Sequence, residues 1–133
     1  MNDATVKLWF EKADNDYTIA LESLDSGRPV SDMICFHAQQ CIEKYLKGFL
    51  LFHDREIDKT HKLSALILSC EEIDPAFSEL RIKGIDALTP YATTYRYPDD
   101  FYIPTIDEAK SSLLSADFVR TFVRKAINDY SKQ

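Results

Sequence analysis

A strip of hydrogen-bonding side chains follows one edge of a helical segment in the first half of the chain. His37, Gln40, Lys44 and Lys47 lie within the stretch FHAQQCIEKYLKGF. Because an α-helix turns about 100° per residue, these four fall within roughly 80° of arc. Four donors aligned in this way could hold a phosphate group or the edge of a base. The alternative is a solvated flank, on which lysine stems cover apolar surface and their ammonium groups stay in water.

Two further groups of residues could extend such an anion site. Thr60-His61-Lys62 is predicted to open a helix, where free N–H groups and the helix dipole favour an anion. A capping turn with a surface histidine is the alternative. Arg96, between two tyrosines, could contact the phosphate of a nucleotide whose base stacks on an aromatic ring. Alternatively Arg96 ties to Asp99 or to a helix-end carbonyl, and the tyrosines belong to the core.

Other site chemistry finds less support. His37 and Cys41 are four residues apart and could share a metal ion, but no third ligand follows at a recognisable spacing. The sequence has neither a glycine-rich phosphate loop nor a Gly-Ser turn with the paired carboxylates of a nucleotidyltransferase. We therefore expect no metal and no cofactor, with a nucleotide such as ATP as a possible ligand.

The periodicity of apolar residues predicts an all-α protein with a single domain over residues 1–133. Start and stop signals place five helices near residues 5–24, 31–53, 60–72, 74–89 and 105–130. The start signals are Ser31, Asp74-Pro75, and Thr105 with Glu108 in a capping box. The aromatic segment 91–103 is irregular, and we expect it to be packed. Short connections favour a five-helix, mostly up-and-down antiparallel bundle.

Composition limits the classes of partner. The net charge of −6 argues against a general nucleic-acid coat and favours a small anionic ligand at a local cationic patch. No leader and no apolar run of about 20 residues is present, and three cysteines in apolar segments suit reduced thiols. We therefore expect a cytoplasmic protein without membrane contact. Phe36, Leu50 and Leu51 point away from the core face of their helix, which predicts a homodimer.

Several segments together resemble one family. Phe36-His37-Ala38-Gln39-Gln40, continuing into Glu43-Lys44-Tyr45-Leu46-Lys47, is similar to the signature helix of HEPN domains. The resemblance continues in Thr60-His61-Lys62-Leu63, in Tyr95-Arg96-Tyr97-Pro98-Asp99, and in Ala13-Asp14 with Asp16 and Ala20. It spans about residues 5–130 and implies a five-helix bundle that commonly dimerises. Many small prokaryotic members are encoded beside a minimal nucleotidyltransferase and act as its partner, and others bind nucleotides.

A large branch of the HEPN family consists of metal-independent ribonucleases, often toxins, which carry Arg, four to six residues, and then His near the dimer interface. The last predicted helix departs from this pattern, because it offers Arg120 and Arg124 but no histidine. Arg55 and His61 satisfy the spacing, although they straddle a loop and a helix start. In that pair His61 would be the base for the 2′-hydroxyl and Arg55 the clamp for the developing charge.

The leading prediction is a HEPN-type domain that binds a nucleotide or RNA-like anion and acts with a separate minimal nucleotidyltransferase, as in a toxin–antitoxin pair. We expect no catalysis by the domain alone. One alternative is a metal-independent ribonuclease using Arg55 and His61, and another is a purely structural dimer or partner-binding module. The predicted binding residues are His37, Gln40, Lys44, Lys47, His61, Lys62 and Arg96.

Overall fold

A computed structural model describes residues 3–133, and this part of the chain is helical without a strand. The α-helices are α1 (Asp3–Asp25), α2 (Ser31–Phe52), α3 (Leu63–Ile73), α4 (Ser78–Ile82) and α5 (Ile106–Ser131). Short 3-10 helices cover Pro75–Phe77, Ile85–Tyr91, Thr94–Arg96 and Pro98–Asp100. The prediction of an all-α protein is confirmed. Among residues 3–133, no helix is long and apolar enough to cross a bilayer.

The predicted count of five helices is wrong, because the predicted fourth helix is divided at Gly84. Gly84 has a φ of +74°, in the left-handed region that side chains disfavour, so α4 ends at Ile82. The chain then continues as the seven-residue 3-10 helix Ile85–Tyr91. With this helix counted and the three-residue 3-10 turns left out, the described residues form six helices. The Asp74-Pro75 start is confirmed, since the Asp74 carboxylate accepts the Ala76 N–H, but the helix it opens is of the 3-10 type.

Helix α2 lies at the centre of the fold, between α1, α3 and α5. Its core face includes Ile34, Cys41 and Tyr45, which have no exposed surface. Leu50, predicted to point outward, is only 2 % exposed because the chain itself covers it. The face of α2 that carries Phe36, Leu50 and Leu51 is therefore partly buried within the monomer. The homodimer that we inferred from this face stays a prediction.

The helix directions differ from an up-and-down bundle. Helix α1 is antiparallel to α2, since Phe10 stacks on Tyr45 whereas Asp16 reaches back to His37. Helix α5 is parallel to α2, because Cys35 meets Ser112 at one end and Phe52 meets Tyr130 at the other.

Helix α3 also runs parallel to α2. The Gln39 amide contacts the His61 carbonyl just before α3 begins, and the Cys70 thiol contacts the Leu46 carbonyl further along. Residues 53–62, here called the return segment, lead back along α2 before α3 begins. The predicted antiparallel arrangement is therefore wrong for both α3 and α5.

Two helix starts also differ from prediction. Val30, not Ser31, is the N-cap of α2, and it makes no side-chain cap. Helix α3 begins at Leu63 with Lys62 as its N-cap, so Thr60 and His61 lie in the return segment and not in a helix. The Thr105–Glu108 capping box is confirmed at the start of α5. The predicted irregular segment 91–103 is instead largely short 3-10 turns.

Candidate functional site

The upper part of the predicted strip is held by a carboxylate from α1. His37 Nδ1 lies 2.7 Å from Asp16 Oδ1, and Lys44 Nζ donates to Asp16 Oδ2 at 2.5 Å. Asp16 is 7 % exposed, whereas about a quarter of the Lys44 side chain is in contact with solvent. The antiparallel packing of α1 on α2 brings this carboxylate to the strip. The Asp16 charge therefore offsets one of the predicted cations.

The lower part of the strip is organised around Glu43, a residue of α2 itself. Glu43 is 4 % exposed and accepts from Lys47 Nζ at 2.9 Å, and His61 Nδ1 lies 2.9 Å from its other oxygen. Gln39 donates to the same carboxylate at 3.2 Å and accepts from Gln40 at 2.8 Å. Lys47 is buried in this network, so its ammonium group is not open to solvent.

The predicted strip therefore exists as an edge of α2 but not as a pocket of free cations. His37 and Lys44 are paired with Asp16, while Lys47 and His61 are paired with Glu43. The structure does bring all of them, with Gln40, along one edge of the helix. The expectation that their charges converge on an empty anion site is wrong in this structure, whereas binding of a ligand at this edge stays a prediction.

Lys62 lies at the end of the return segment. Its backbone N–H donates to Thr60 Oγ1 at 3.1 Å, and the next N–H, of Leu63, donates to Thr89 Oγ1 at 3.1 Å. Because Thr89 already occupies the first N–H of α3, the helix-start anion site predicted at Thr60-His61-Lys62 loses a donor. The alternative of a capping turn agrees better with these contacts.

Arg96 lies in a different environment, over an aromatic ring. Its guanidinium carbon is 4.3 Å from the ring centroid of Phe36, a cation–π contact and not the alternative tie to Asp99. Phe36 in turn meets the His37 ring edge-on, with centroids 5.1 Å apart. Arg96 is thus connected to the upper strip through Phe36.

A cleft of about 320 Å³ opens beside Arg96, and we call it the aromatic cleft. Its aromatic lining and its cation are Phe36, Tyr91, Tyr95, Phe101, Tyr102 and Arg96. Tyr97, which was considered for base stacking, is not part of this lining and is 65 % exposed. Of the two tyrosines that flank Arg96 in the sequence, the structure brings only Tyr95 into the cleft.

The tyrosines of the aromatic cleft are positioned by Glu108, the capping-box residue of α5. Tyr91 donates to Glu108 at 2.9 Å, and the Tyr102 hydroxyl donates to its other oxygen. Tyr95 lies between the two, with ring centroids 5.6 and 4.9 Å away. Burial and the bond to Glu108 raise the pKa of Tyr91, and the bond from Tyr102 lowers the pKa of Glu108. The cleft is therefore lined by neutral hydroxyls around an ionised carboxylate.

The sequence profile of the HEPN domain matches residues 6–126 of the chain. The protein belongs to the HEPN family. The crystal structure of an archaeal HEPN homologue is similar to it, with 27 % sequence identity and a TM-score of 0.66 over 92 % of this chain and 97 % of that one. No curated protein matches the chain in sequence. The resemblance seen in the sequence is thus confirmed.

Within this HEPN domain, Arg55 and His61 are tied to carboxylates of different helices. Arg55 Nη1 lies 3.5 Å from Glu72 Oε2 of α3, at the exposed surface, whereas His61 pairs with Glu43 of α2. The structure therefore does not join this Arg–His pair in a shared hydrogen-bond network.

Sequence reasoning missed a cluster in which the two arginines of α5 share one carboxylate of α1. Arg124 Nη2 and Arg120 Nη1 lie 2.6 and 3.2 Å from Asp14, and the Tyr45 hydroxyl also donates to Asp14. The guanidinium carbon of Arg120 lies 4.0 Å from the ring centroid of Tyr17. The four-residue interval between the arginines was the available signal, since it places both on one face of α5. The cluster joins α1, α2 and α5 of the HEPN fold.

The His37–Cys41 pair is not arranged as a metal site. Cys41 has no exposed surface, and burial raises the pKa of its thiol, which disfavours the thiolate that would bind a metal. Cys35 and Cys70 are also buried and reduced, so the three thiols are part of the core.

Proposed function

We propose that this HEPN domain binds a nucleotide or RNA-like anion in the aromatic cleft, with Arg96 as its main cation. The position of Arg96 over Phe36, at the side of a cleft lined by tyrosines, carries this proposal. A volume of about 320 Å³ lies within the ordinary range of small-ligand sites. The cleft therefore combines space for a ring with a cation for a phosphate.

The chemistry of the cleft suits an aromatic anion better than a simple phosphate. Stacking of a base on an aromatic side chain contributes about 1–3 kcal/mol and does not depend on base identity. The neutral Tyr91 and Tyr102 hydroxyls supply polar edges, and the Arg96 guanidinium can pair with phosphate oxygens. Asp32, on the same cleft, repels phosphate near the start of α2, so we expect the phosphate to lie on the Arg96 side.

The residues of the strip along α2 differ in how directly they could contact a ligand that lies in the cleft. His37 is half-buried and meets the ring of Phe36, so a phosphate chain that extends from the cleft along α2 would meet His37 first, then Gln40 one turn beyond Phe36 and Lys44 two turns beyond it. Lys47 and His61 form the farther part, where Glu43 balances the charge, and Lys62 follows His61 in the chain. We expect the first group to strengthen binding modestly and the second to act mainly through the fold.

Calorimetric titration with ATP, AMP and a short oligoribonucleotide tests the proposal. Arg96→Ala is expected to weaken binding by about tenfold or more, because it removes the phosphate partner and uncovers Phe36. Arg81→Ala is the matched control, since it also removes one arginine, from an exposed pair with Glu71. Equal losses in the two variants, or wild-type protein that binds none of the three probes, would remove the aromatic cleft as the site.

The proposal includes a partner of the nucleotidyltransferase type, supported by the family to which the chain belongs and by the lack of such a site in its own sequence. Apolar side chains at the mouth of the aromatic cleft are suitable for protein contact: Phe101 is 68 % and Ile103 80 % exposed. Sedimentation of the protein alone and with the product of the neighbouring reading frame tests both the homodimer and this partner. Ile103→Asp is expected to weaken the association with this partner.

Ribonuclease activity is not part of the proposal. We expect total RNA incubated with the pure protein in EDTA to stay intact, since Arg55 and His61 are bound to different carboxylates. Cleavage that disappears in His61→Ala would contradict this expectation and favour the enzymatic alternative.

A further inference from the structure

A second concave surface follows the C-terminal half of α5, away from the aromatic cleft. It consists of two cavities of about 380 and 350 Å³ that share Asp74, Ala126 and Asp129. One side is α5, and the other is formed by residues 73–79 together with Phe49 and His53 of the second cavity. We call this surface the acidic groove, and its defining residues are Asp74, Glu79, Phe118, Phe122, Ala126 and Asp129.

The floor of the acidic groove is apolar and firmly supported. Phe118 and Phe122 are half-buried, with ring centroids 6.0 Å apart, and Ala126 continues the floor one turn later. Below them the fully buried Phe77 meets Phe122 edge-on at 4.9 Å. Because the buried ring of Phe77 packs under the half-buried Phe122, the floor is a fixed surface that an apolar side chain can contact without rearrangement.

The rim of the acidic groove carries more negative than positive charge. Asp74, Glu79 and Asp129 are the carboxylates, and Lys125 is the cation of the lining, paired with Asp129 at 2.6 Å. Lys83 covers one end, with its ammonium group 4.3 Å from the Phe118 ring centroid. His53 adds no charge near neutral pH, because burial lowers its pKa.

We propose that the acidic groove docks a basic amphipathic segment of a partner protein. Apolar side chains of the segment would contact Phe118, Phe122 and Ala126, and its lysines or arginines would lie beside Asp74 and Glu79. From Phe118 to Tyr130 the groove follows α5 for roughly 18 Å, which suits about three turns of a helix. Phosphate-rich ligands are repelled by this rim, and a second copy of a chain with net charge −6 is poorly matched to it.

This proposal does not depend on nucleotide binding. The aromatic cleft is built on Glu108 in the first turn of α5, whereas the acidic groove begins at Phe118. The two surfaces therefore use different ends of one helix, and the two ligands have opposite charge.

The probe is a synthetic helical peptide of about 18 residues with leucines on one face and lysines elsewhere. Its binding is followed by amide shifts of the labelled full chain. The expected result is amide shifts confined to residues 49–53, 73–83 and 118–133, with binding weakened about tenfold by Glu79→Lys. Glu22→Lys, at an exposed position of α1, makes the same change in net charge and is expected to alter affinity by less than about twofold.

Two altered peptides separate the groove from general charge attraction. Replacing the leucines by serine keeps every lysine, and replacing the lysines by glutamate keeps every leucine; neither peptide is expected to bind. The proposal is overturned if the serine peptide binds as well as the parent, if Glu22→Lys weakens binding as much as Glu79→Lys, or if the parent peptide binds elsewhere or not at all. Circular dichroism of both variants keeps loss of fold from being mistaken for loss of binding.

Discussion

At the scale of single residues, the contact between α1 and α2 depends on Gly48. A Cβ atom built at this position would lie 2.5 Å from the Phe10 ring, which itself stacks on Tyr45 at 5.0 Å. Gly48→Ala is therefore expected to lower the free energy of unfolding by about 1–3 kcal/mol, although alanine favours a helix by about 1 kcal/mol. Urea unfolding measures the difference.

Gly27→Ala is the control for this substitution, since a Cβ there would meet nothing within 4 Å. We expect Gly27→Ala to change the unfolding free energy by less than about 0.5 kcal/mol. If Gly48→Ala proves as stable as the wild type, the ring of Phe10 can move aside and the close approach is not needed.

His53 gives the stability a dependence on pH. Burial against Phe49 and Tyr130 lowers its pKa, Arg55 acts in the same direction, and Asp74 and Asp54 oppose the shift. The unfolded chain then binds a proton more readily than the folded one, so this contribution to stability is present above about pH 6.5 and is lost as pH falls through the folded pKa.

The measurement for His53 is urea unfolding at pH 7 and pH 5, compared with His53→Phe, which keeps an aromatic ring. Wild type is expected to lose more stability over this interval than the variant does, because only wild type protonates at this position. The comparison cancels contributions of the other two histidines. Equal losses would mean that His53 titrates alike in both states.

At the scale of elements, α5 starts with a capping box that also serves the aromatic cleft. Thr105 Oγ1 accepts the Glu108 N–H at 3.1 Å, and the Glu108 carboxylate also accepts from Tyr91 and Tyr102. Thr105→Ala is expected to lower the free energy of unfolding by about 1 kcal/mol, the usual loss for a side-chain cap. Thr121→Ala, at an exposed position within α5, is the control and is expected to be nearly neutral.

Element starts were predictable only where a local hydrogen bond fixes them. Thr105-Glu108 and Asp74-Pro75 were found from sequence because each start depends on two residues close together in the chain. The break at Gly84 was missed, since a glycine within a helical pattern does not reveal that its φ will be positive. Ser31 was a plausible N-cap, but Ser31 is the first residue of α2 and Val30 is its N-cap.

In the candidate site as well, the spacing of residues within one helix was predictable from the sequence, whereas contacts with other helices were not. Helical periodicity placed His37, Lys44 and Lys47 on one edge of α2, as the structure has them. It could not tell that Asp16, from another helix, would neutralise part of that edge. Asp14 and Arg124 are 110 residues apart in the chain, so no spacing rule could join them.

At the scale of the whole molecule, the return segment determines the topology. Short connections favour antiparallel neighbours, but the return segment has no regular structure over residues 55–62. Eight extended residues can span about 26 Å, enough to pass back along most of α2. Helix α3 therefore starts near Gln39 and runs parallel to α2, an outcome that apolar periodicity alone could not distinguish from an antiparallel one.

The return segment is attached to the bundle at two carboxylates of different exposure. Glu43, buried in α2, holds His61 and the buried Lys47, whereas Glu72, exposed on α3, holds Arg55. Glu43→Ala is expected to lower the free energy of unfolding by about 3–5 kcal/mol, because it leaves a buried ammonium group unpaired. Glu72→Ala is the matched control, for which an exposed pair predicts less than about 1 kcal/mol.

Urea unfolding gives both values, and the rate of tryptic cleavage after Lys59 and Lys62 shows whether the return segment is released. The double variant Glu43→Leu/Lys47→Met identifies the cause, because it removes the unpaired charge along with its partner. If it recovers most of the stability while trypsin still cleaves after Lys59 and Lys62 faster than in the wild type, the loss in Glu43→Ala comes from Lys47, and the contact with His61 is what holds the segment. A loss in Glu43→Ala no larger than in Glu72→Ala would contradict the view that the fold depends on this buried carboxylate.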